Sequence, residues 1–595
     1  MTTNQADMGS SNPFLRITVL LSIFLLLATP LLSSSTAQIA PGHQSHAPAD
    51  TTAPIDSAVT VPGYLDSPTF FEMFHANHSD PLNRTLLHKG EVRLNPLGTE
   101  SIENFDWKTH KRKDQSWWQR MESMKYLLPL MTSSEDRDSV FVRKWIMGWL
   151  DKHEREPLIS RAAHDAMTVG QRGMVFTWFL KQLNADDEQD TALAGRIKAS
   201  LRWHQTYLTA TYHAVSNHAM WESMGLLETT RVHPNPKLSF IALERLREIV
   251  ELSTTEQGFH TEHSPVYHFY YLRWLSDFAD YLVSLPDLDW PDLELLLDRE
   301  RRMHKMTYFL CDRRGRLPQI GDTDSIKVDA VYWRRPPLSN NTAVFDKDAG
   351  YAIYKDPLRA KNRRYVVFRI IQDKPELPFH THDDCLAVYY SWDGEVILSD
   401  QGRFSYTRSA TQKYYKSMAA HNTVMPAKLL TFHGSRFYAR EAWWKADRAR
   451  CFFGASADQP SITRAVEIPA REPELRVFDT ILGEEPYSLL WYIGSDVVSI
   501  DEQHHWVNES DSTDRWHTYS WKLTTVRKRC FLLTVELSCG QNDDDQMVHI
   551  IKGWEKPMLG WYSSGYNKSV PANLIRVDLN VNGFANVRTK IKRIR

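Results

Sequence analysis

The segment His380-Thr381-His382-Asp383-Asp384 gathers imidazoles and carboxylates, and Asp400 and His421-Asn422 follow it closely. Imidazole and carboxylate are the ligand set that suits zinc. His382, Asp400 and His421 are therefore candidate metal ligands within one stretch of β-like sequence. On an extended chain, residues two apart point to the same face, so His380 and His382 would look into one site. One would hold a metal while the other stays free for proton chemistry. The bland alternative is a set of ordinary polar strand residues.

Two further places carry chemistry. Ser216-Asn217-His218-Ala219-Met220-Trp221-Glu222 reads as a helix start, with Ser216 or Asn217 as its cap. Glu222 lies four residues after His218, shares its helix face and is expected to pair with it. In Glu262-His263-Ser264-Pro265-Val266-Tyr267-His268-Phe269-Tyr270-Tyr271, Pro265 suits the first turn of a helix. Tyr267, Tyr270 and Tyr271 then fall three and four apart on one face. Such a stripe is usually core, but His263 and His268 make this an unusually polar helix start.

The elements that position these residues change period midway. From about residue 61 to 330 the apolar spacing is helical, as in Trp117–Met131, Val140–Trp149, Ala162–Leu183, Ala192–Tyr212, Phe240–Leu252, Tyr267–Leu285 and Leu293–Cys311. Short loops between them make antiparallel helical hairpins. Beyond Pro336-Pro337, short strands such as Tyr351–Tyr354, Tyr365–Ile371, Leu386–Tyr390, Val396–Leu398, Leu489–Ile493 and Phe531–Leu537 are separated by turn signals such as Asp393-Gly394. Residues 331–595 thus read as an antiparallel all-β domain, most simply a sandwich. A chain of 595 residues exceeds what one core normally organises, so two large domains are expected.

The ordered set Ser-Asn-His-Ala-x-Trp-Glu, Glu-His-Ser-Pro-x-Tyr-His, His-x-His-Asp, Ser-Asp-x-Gly and Ala-His-Asn-Thr-Val resembles the heparinase II/III-like polysaccharide lyases over residues 110 to 430. The resemblance implies an incomplete (α/α) toroid followed by an antiparallel β-sandwich, with the cleft between them. It also implies β-elimination of a uronic-acid-containing polysaccharide. By the family pattern Asn217 binds the uronate carboxylate with His218 beside it, and Tyr267 is the base, the acid for the leaving O4, or both. His380 assists or acts as a second base, and Glu222, Tyr271 and Arg403 are expected at the substrate. His382, Asp400 and His421 hold Zn²⁺, which fixes the loop presenting His380. For His382 and Asp400 to reach one ion, residues 380–384 must fold back from the strand, since a tight turn at Asp393-Gly394 sets Asp400 opposite Ala387.

Composition bounds the partners. A net charge of −2 gives no reason to expect nucleic acid or an anionic membrane. The 20 Trp, 24 Tyr and 25 Phe could line a carbohydrate cleft as readily as fill a core. Arg273, Arg403 and Arg408 are candidates to select sulfated substrates, and Asp322 and Asp324 read as surface-turn carboxylates first, with cleft residues the alternative. Ile17–Leu32 is an apolar run with small residues after it, laid out as a signal peptide (1–37) ahead of a linker (38–60). The product is expected to be exported, periplasmic or extracellular, with no membrane span after cleavage. Five cysteines form no disulfide framework, and a strand between Cys530 and Cys539 would hold them about 30 Å apart. Two rival readings accompany the lyase. One is a glycoside hydrolase, with Glu222 and Glu262 as its acid pair. The other is a non-catalytic glycan-binding protein.

Overall fold

Polar caps set where the helices begin. Asp165, Asp187 and Asn235 each accept a hydrogen bond from a backbone N–H three residues on, opening Ala166–Leu180, Glu188–Ala210 and Pro236–Ser253. The computed structural model describes residue 59 and the chain from 61 onward, except 96, 108–114, 156–164, 214–216, 287, 334–341, 358, 373–379, 432–437, 448–449, 459–460, 509–515 and 539–546. The signal peptide, nearly all of the linker, Ser216 and Cys539 therefore lie outside the described residues. Among the described residues no helix is long and apolar enough to cross a membrane.

Helices run from Phe70–His78 to Ala330–Trp333, and the main strands begin at Ala343–Asp346. The fold is thus mixed, helical first and antiparallel β after it. The helix expected over Trp117–Met131 is broken. Gln115–Glu122 stops before Met124, whose left-handed backbone (φ 63°) starts a separate turn at Lys125–Leu127 and a short helix at Leu128–Met131. Ala166–Leu180 is buried almost all round because it packs against Asn217–Val232. The two helices touch at Gly170 and Gly225: a Cβ on Gly170 would lie 2.2 Å from the Trp221 carbonyl oxygen. That contact sets the height of the helix carrying Asn217 and His218.

In the β half, a five-stranded meander runs Ala343–Asp346, Tyr351–Lys355, Arg364–Arg369, Val388–Trp392 and Glu395–Leu398. An eight-stranded antiparallel sheet has Val497–Asn508 and Ala439–Ala446 as its edges, and a four-stranded sheet centres on Asn573–Asn580 and Pro486–Tyr492. Three strands of the meander are buried at every position, because both faces of that sheet are covered. Ala352, Val366, Phe368 and Tyr390 join the core shared with the other β-sheets. Tyr351, Ile353, Tyr365 and Val367 join Phe259, Val266, Phe269 and Phe309 from the helical half. From residue 57 on, the chain is one compact unit by its contacts.

Candidate active site

The site is assembled where the helix Pro265–Ser284 begins. Its N-cap, Ser264, makes no side-chain cap bond. Thr323 supplies one from another loop: its Oγ1 accepts from the Val266 N–H (3.3 Å) and bonds Ser264 Oγ (2.9 Å). The same loop needs Gly321, whose φ is +55° and whose Cβ would lie 2.7 Å from the His380 carbonyl oxygen. Asp322 then donates its N–H to that carbonyl (3.0 Å). Backbone 321–323 is thereby wedged between the helix start and the His380 loop.

Asp322 is the hub of the site. His380 Nδ1 and His382 Nε2 each lie 3.0 Å from one of its carboxylate oxygens, and Lys416 Nζ lies 3.3 Å away. Burial opposes ionisation here, but the two histidine hydrogen bonds and Lys416 overcome it, so the carboxyl sits far below its ordinary range. An ionised carboxylate only accepts, which puts a proton on His380 Nδ1 and on His382 Nε2. His380 Nε2 then faces Glu262 Oε2 at 3.6 Å. Asp322 and Asp324 are therefore not surface-turn residues: Asp322 is buried, and Asp324 is paired with Arg403.

Tyr267 lies face to face on the His380 ring, with centroids 3.4 Å apart and planes 14° from parallel. Its hydroxyl meets that of Tyr406 at 2.5 Å, and Arg403 Nη1 donates to the Tyr406 oxygen at 2.7 Å. Burial, then the neighbouring Tyr406, pushes the Tyr267 phenol well above its usual range, with Arg403 the opposing influence. Arg403 is only 7% exposed and held by Asp324, so it backs Tyr406 instead of reaching into the cleft as expected.

Other expectations need correction. Glu222 is 0% exposed and pairs with His213, through Nδ1 (2.8 Å) and the backbone N–H (3.1 Å), instead of with His218. It supports the approach to its helix. Tyr271 is likewise buried, its ring tilted 39° against His260 (centroids 4.4 Å apart) and its hydroxyl donating to the Ile249 carbonyl (3.4 Å). At about 100° per residue, the four-residue step from Tyr267 turns Tyr271 toward the helix Pro236–Ser253, while the three-residue step keeps Tyr270 outside. Asn217 and His218 do open the helix Asn217–Val232. Trp221, one turn on, meets Trp274 of the Tyr267 helix edge to face at 5.8 Å. The Asn217 side chain lies outside the described residues.

The His380–Asp384 stretch lies outside the strand. Leu386 takes a left-handed backbone (φ 64°), Asp384 is tied to Arg369 (3.2 Å), and the strand resumes only at Val388. Arg464, paired with Asp479, holds the Leu386 and Asn422 carbonyls (2.9 and 2.8 Å). Asn422 ties together Val388, Ser399 and Tyr492. A buried His382 Nδ1 and a buried His421 Nε2 lack partners, their rings 5.5 Å apart, and these are donors that zinc takes. Asp400 instead accepts from His421 Nδ1 (2.9 Å) and the Gln401 N–H (2.8 Å). Among the described residues no three His, Cys, Asp or Glu side chains converge at ligand spacing.

The sequence does not mark Tyr406 or Lys416, and for Asp322 it favours a surface turn over a cleft position. Their partners are 139, 94 and 58 residues away, and no local motif marks them.

A helical half followed by an antiparallel β half is the fold of polysaccharide lyases of known structure. A heparan sulfate lyase, HepC, from Pedobacter heparinus (studied as a mutant) superposes with a TM-score of 0.62 at 15% identity, over 86% of this chain and 83% of that one. A heparinase III superposes with a TM-score of 0.62 at 13% identity, over 82% and 79%. Among curated proteins, none matches by sequence. Residues 340–589 match the family described as heparinase II/III-like, C-terminal. The β half of the chain therefore carries a heparinase II/III-like C-terminal domain.

Proposed function

We propose that this protein is an exported lyase that cleaves a uronic-acid-containing polysaccharide, heparan sulfate-like or related, by β-elimination. The observation that carries the reading is Tyr267 stacked on His380, with Asp322 behind the histidine and Arg403–Tyr406 behind the tyrosine. In this reading residues 61–330 form an incomplete (α/α) toroid and 331–595 an antiparallel β-sandwich, with the cleft between them. Residues 1–37 direct export to the periplasm or beyond.

The C5 proton of a uronate lies next to a carboxylate, so removing it builds charge on a group already anionic. Asn217, with His218, binds that carboxylate. His380 Nε2, its other nitrogen protonated toward Asp322, accepts the C5 proton. The C5–H electrons form the C4=C5 bond as the C4–O4 bond breaks. Tyr267, which burial keeps protonated, gives its proton to O4. His382 and His421, with Asp400 orienting His421, would hold Zn²⁺, which when bound fixes the loop that presents His380. Measuring zinc in the purified protein tests that assignment.

A hydrolase would need two opposed carboxylic acids at the cleft. Glu222 is committed to His213, and Glu262 is buried behind His380. Incubation with heparan sulfate, alginate and hyaluronan should give ultraviolet absorbance from an unsaturated uronate product. New reducing ends without that absorbance would overturn the reading in favour of hydrolysis, and binding with neither would favour a glycan-binding protein.

A further inference from the structure

Partly exposed aromatic rings continue from Tyr267 along the open side of its helix. Tyr270 meets Tyr267 edge to face at 6.0 Å and stacks along Trp274 at 6.2 Å. Trp274 meets Trp221 at 5.8 Å, and the Lys125 ammonium lies over the Trp221 ring, 4.7 Å from its centroid. The left-handed Met124 starts the turn that carries Lys125. Two groups at this end lack the partner their chemistry calls for. No carboxylate among the described residues pairs with Lys125, and the buried Trp221 Nε1–H has no acceptor. Burial, with Arg120 nearby, pulls the Lys125 ammonium down to about 8. A cation left in such surroundings gains from any anion that reaches it. The arrangement is a row of partly exposed rings, Tyr267, Tyr270 and Trp274, that ends at a positive charge seated on the buried Trp221, a combination that suits a glycan with an acidic substituent.

We propose that Lys125, at the far end of the row of Tyr267, Tyr270 and Trp274, binds an anionic oxygen group, sulfate or carboxylate, on a sugar neighbouring the uronate cleaved at Tyr267. This rests on the lyase reading. Tyr267 and Trp274 are seven residues apart, about 10 Å along the helix axis. That span exceeds one pyranose ring, so the recognised group belongs to a neighbouring unit. Lys125 is then a specificity-determining residue: it decides which chains enter the cleft and leaves the elimination itself to Tyr267 and His380.

The test compares wild type, Lys125→Gln and Lys125→Arg on heparan sulfate, the same polymer chemically desulfated, and alginate. Lys125→Gln should raise KM roughly tenfold on the polymer bearing the recognised anion, with little change in kcat. Lys125→Arg should restore most of the loss. An effect confined to the sulfated polymer identifies sulfate, and one that persists on desulfated polymer or alginate identifies carboxylate. Equal KM for wild type and Lys125→Gln on all three overturns the proposal. If wild type yields no unsaturated product on any polymer, the lyase reading fails instead. Oligosaccharide binding followed by tryptophan fluorescence then still decides Lys125, and equal affinities of wild type and Lys125→Gln overturn it.

Discussion

Tyr267 holds its proton because burial disfavours a phenolate and Tyr406 sits against its hydroxyl. In the proposed elimination, a phenol in that state is the donor to the leaving oxygen. Tyr267→Phe deletes the donor while keeping a ring on His380. Turnover should fall by roughly 10²–10⁴-fold with the melting temperature unchanged, and activity near wild type would remove Tyr267 from the chemistry. Asp322 acts one step back. Asp322→Asn keeps the shape but replaces one acceptor oxygen with an N–H donor, so one histidine faces donor to donor and Lys416 loses its counter-charge. The expected cost is about 1–3 kcal/mol of stability together with a loss of turnover. A folded Asp322→Asn protein with wild-type kcat would show that the hub does not orient His380.

At the scale of elements, the start of the helix Pro265–Ser284 is built on histidines held neutral. Burial pushes His263 and His268 down to about 3 and His260 far below its ordinary value. His268 is fixed by Thr307 (2.9 Å) and His263 by the Ala349 carbonyl (3.0 Å). The unfolded chain protonates these groups near pH 6.5, whereas the folded one resists to about pH 3. Stability is therefore full above pH 6.5 and is lost as pH falls through that window. At pH 4.5, two units below the unfolded value, each of His263 and His268 should disfavour folding by about 3 kcal/mol. Melts at pH 7 and pH 5 check this, and an unchanged midpoint would refute it. The polarity of this segment was legible in the sequence as His263 and His268 flanking the tyrosines, but its purpose was not, because neutrality comes from packing partners far along the chain. The departure of residues 380–384 from the strand is expected from the sequence so that His382 and Asp400 could share one ion, yet Asp400 is turned to His421 and Gln401. The strand Ala439–Ala446 was not legible at all, because an exposed edge strand lacks a buried alternating face.

At the scale of the whole molecule, the five-stranded sheet does two jobs. One face belongs to the β core, and the other packs on Val266, Phe269 and Phe309 from the helices. Its sequence reads as unbroken apolar runs, which marked the strands plainly while hiding that the second face meets the helical half. The site depends on this sandwiching, since Tyr267 comes from one half and His380 from the other. Sequence periodicity pointed to two large domains, but a shared core ties their stabilities together. Phe269→Ala removes a nearly buried ring two residues from Tyr267, in the layer between helix and sheet. The expected loss is about 3–5 kcal/mol. If the halves fold as one unit, calorimetry will show a single transition moved to lower temperature, and elimination activity will be lost over that same transition. Two resolved transitions, with only the helical one shifted, would mean that the halves are independent and that the sheet merely rests against the helices. The first outcome would make the contact between the halves part of the catalytic apparatus, since any loosening there parts Tyr267 from His380 before either half unfolds.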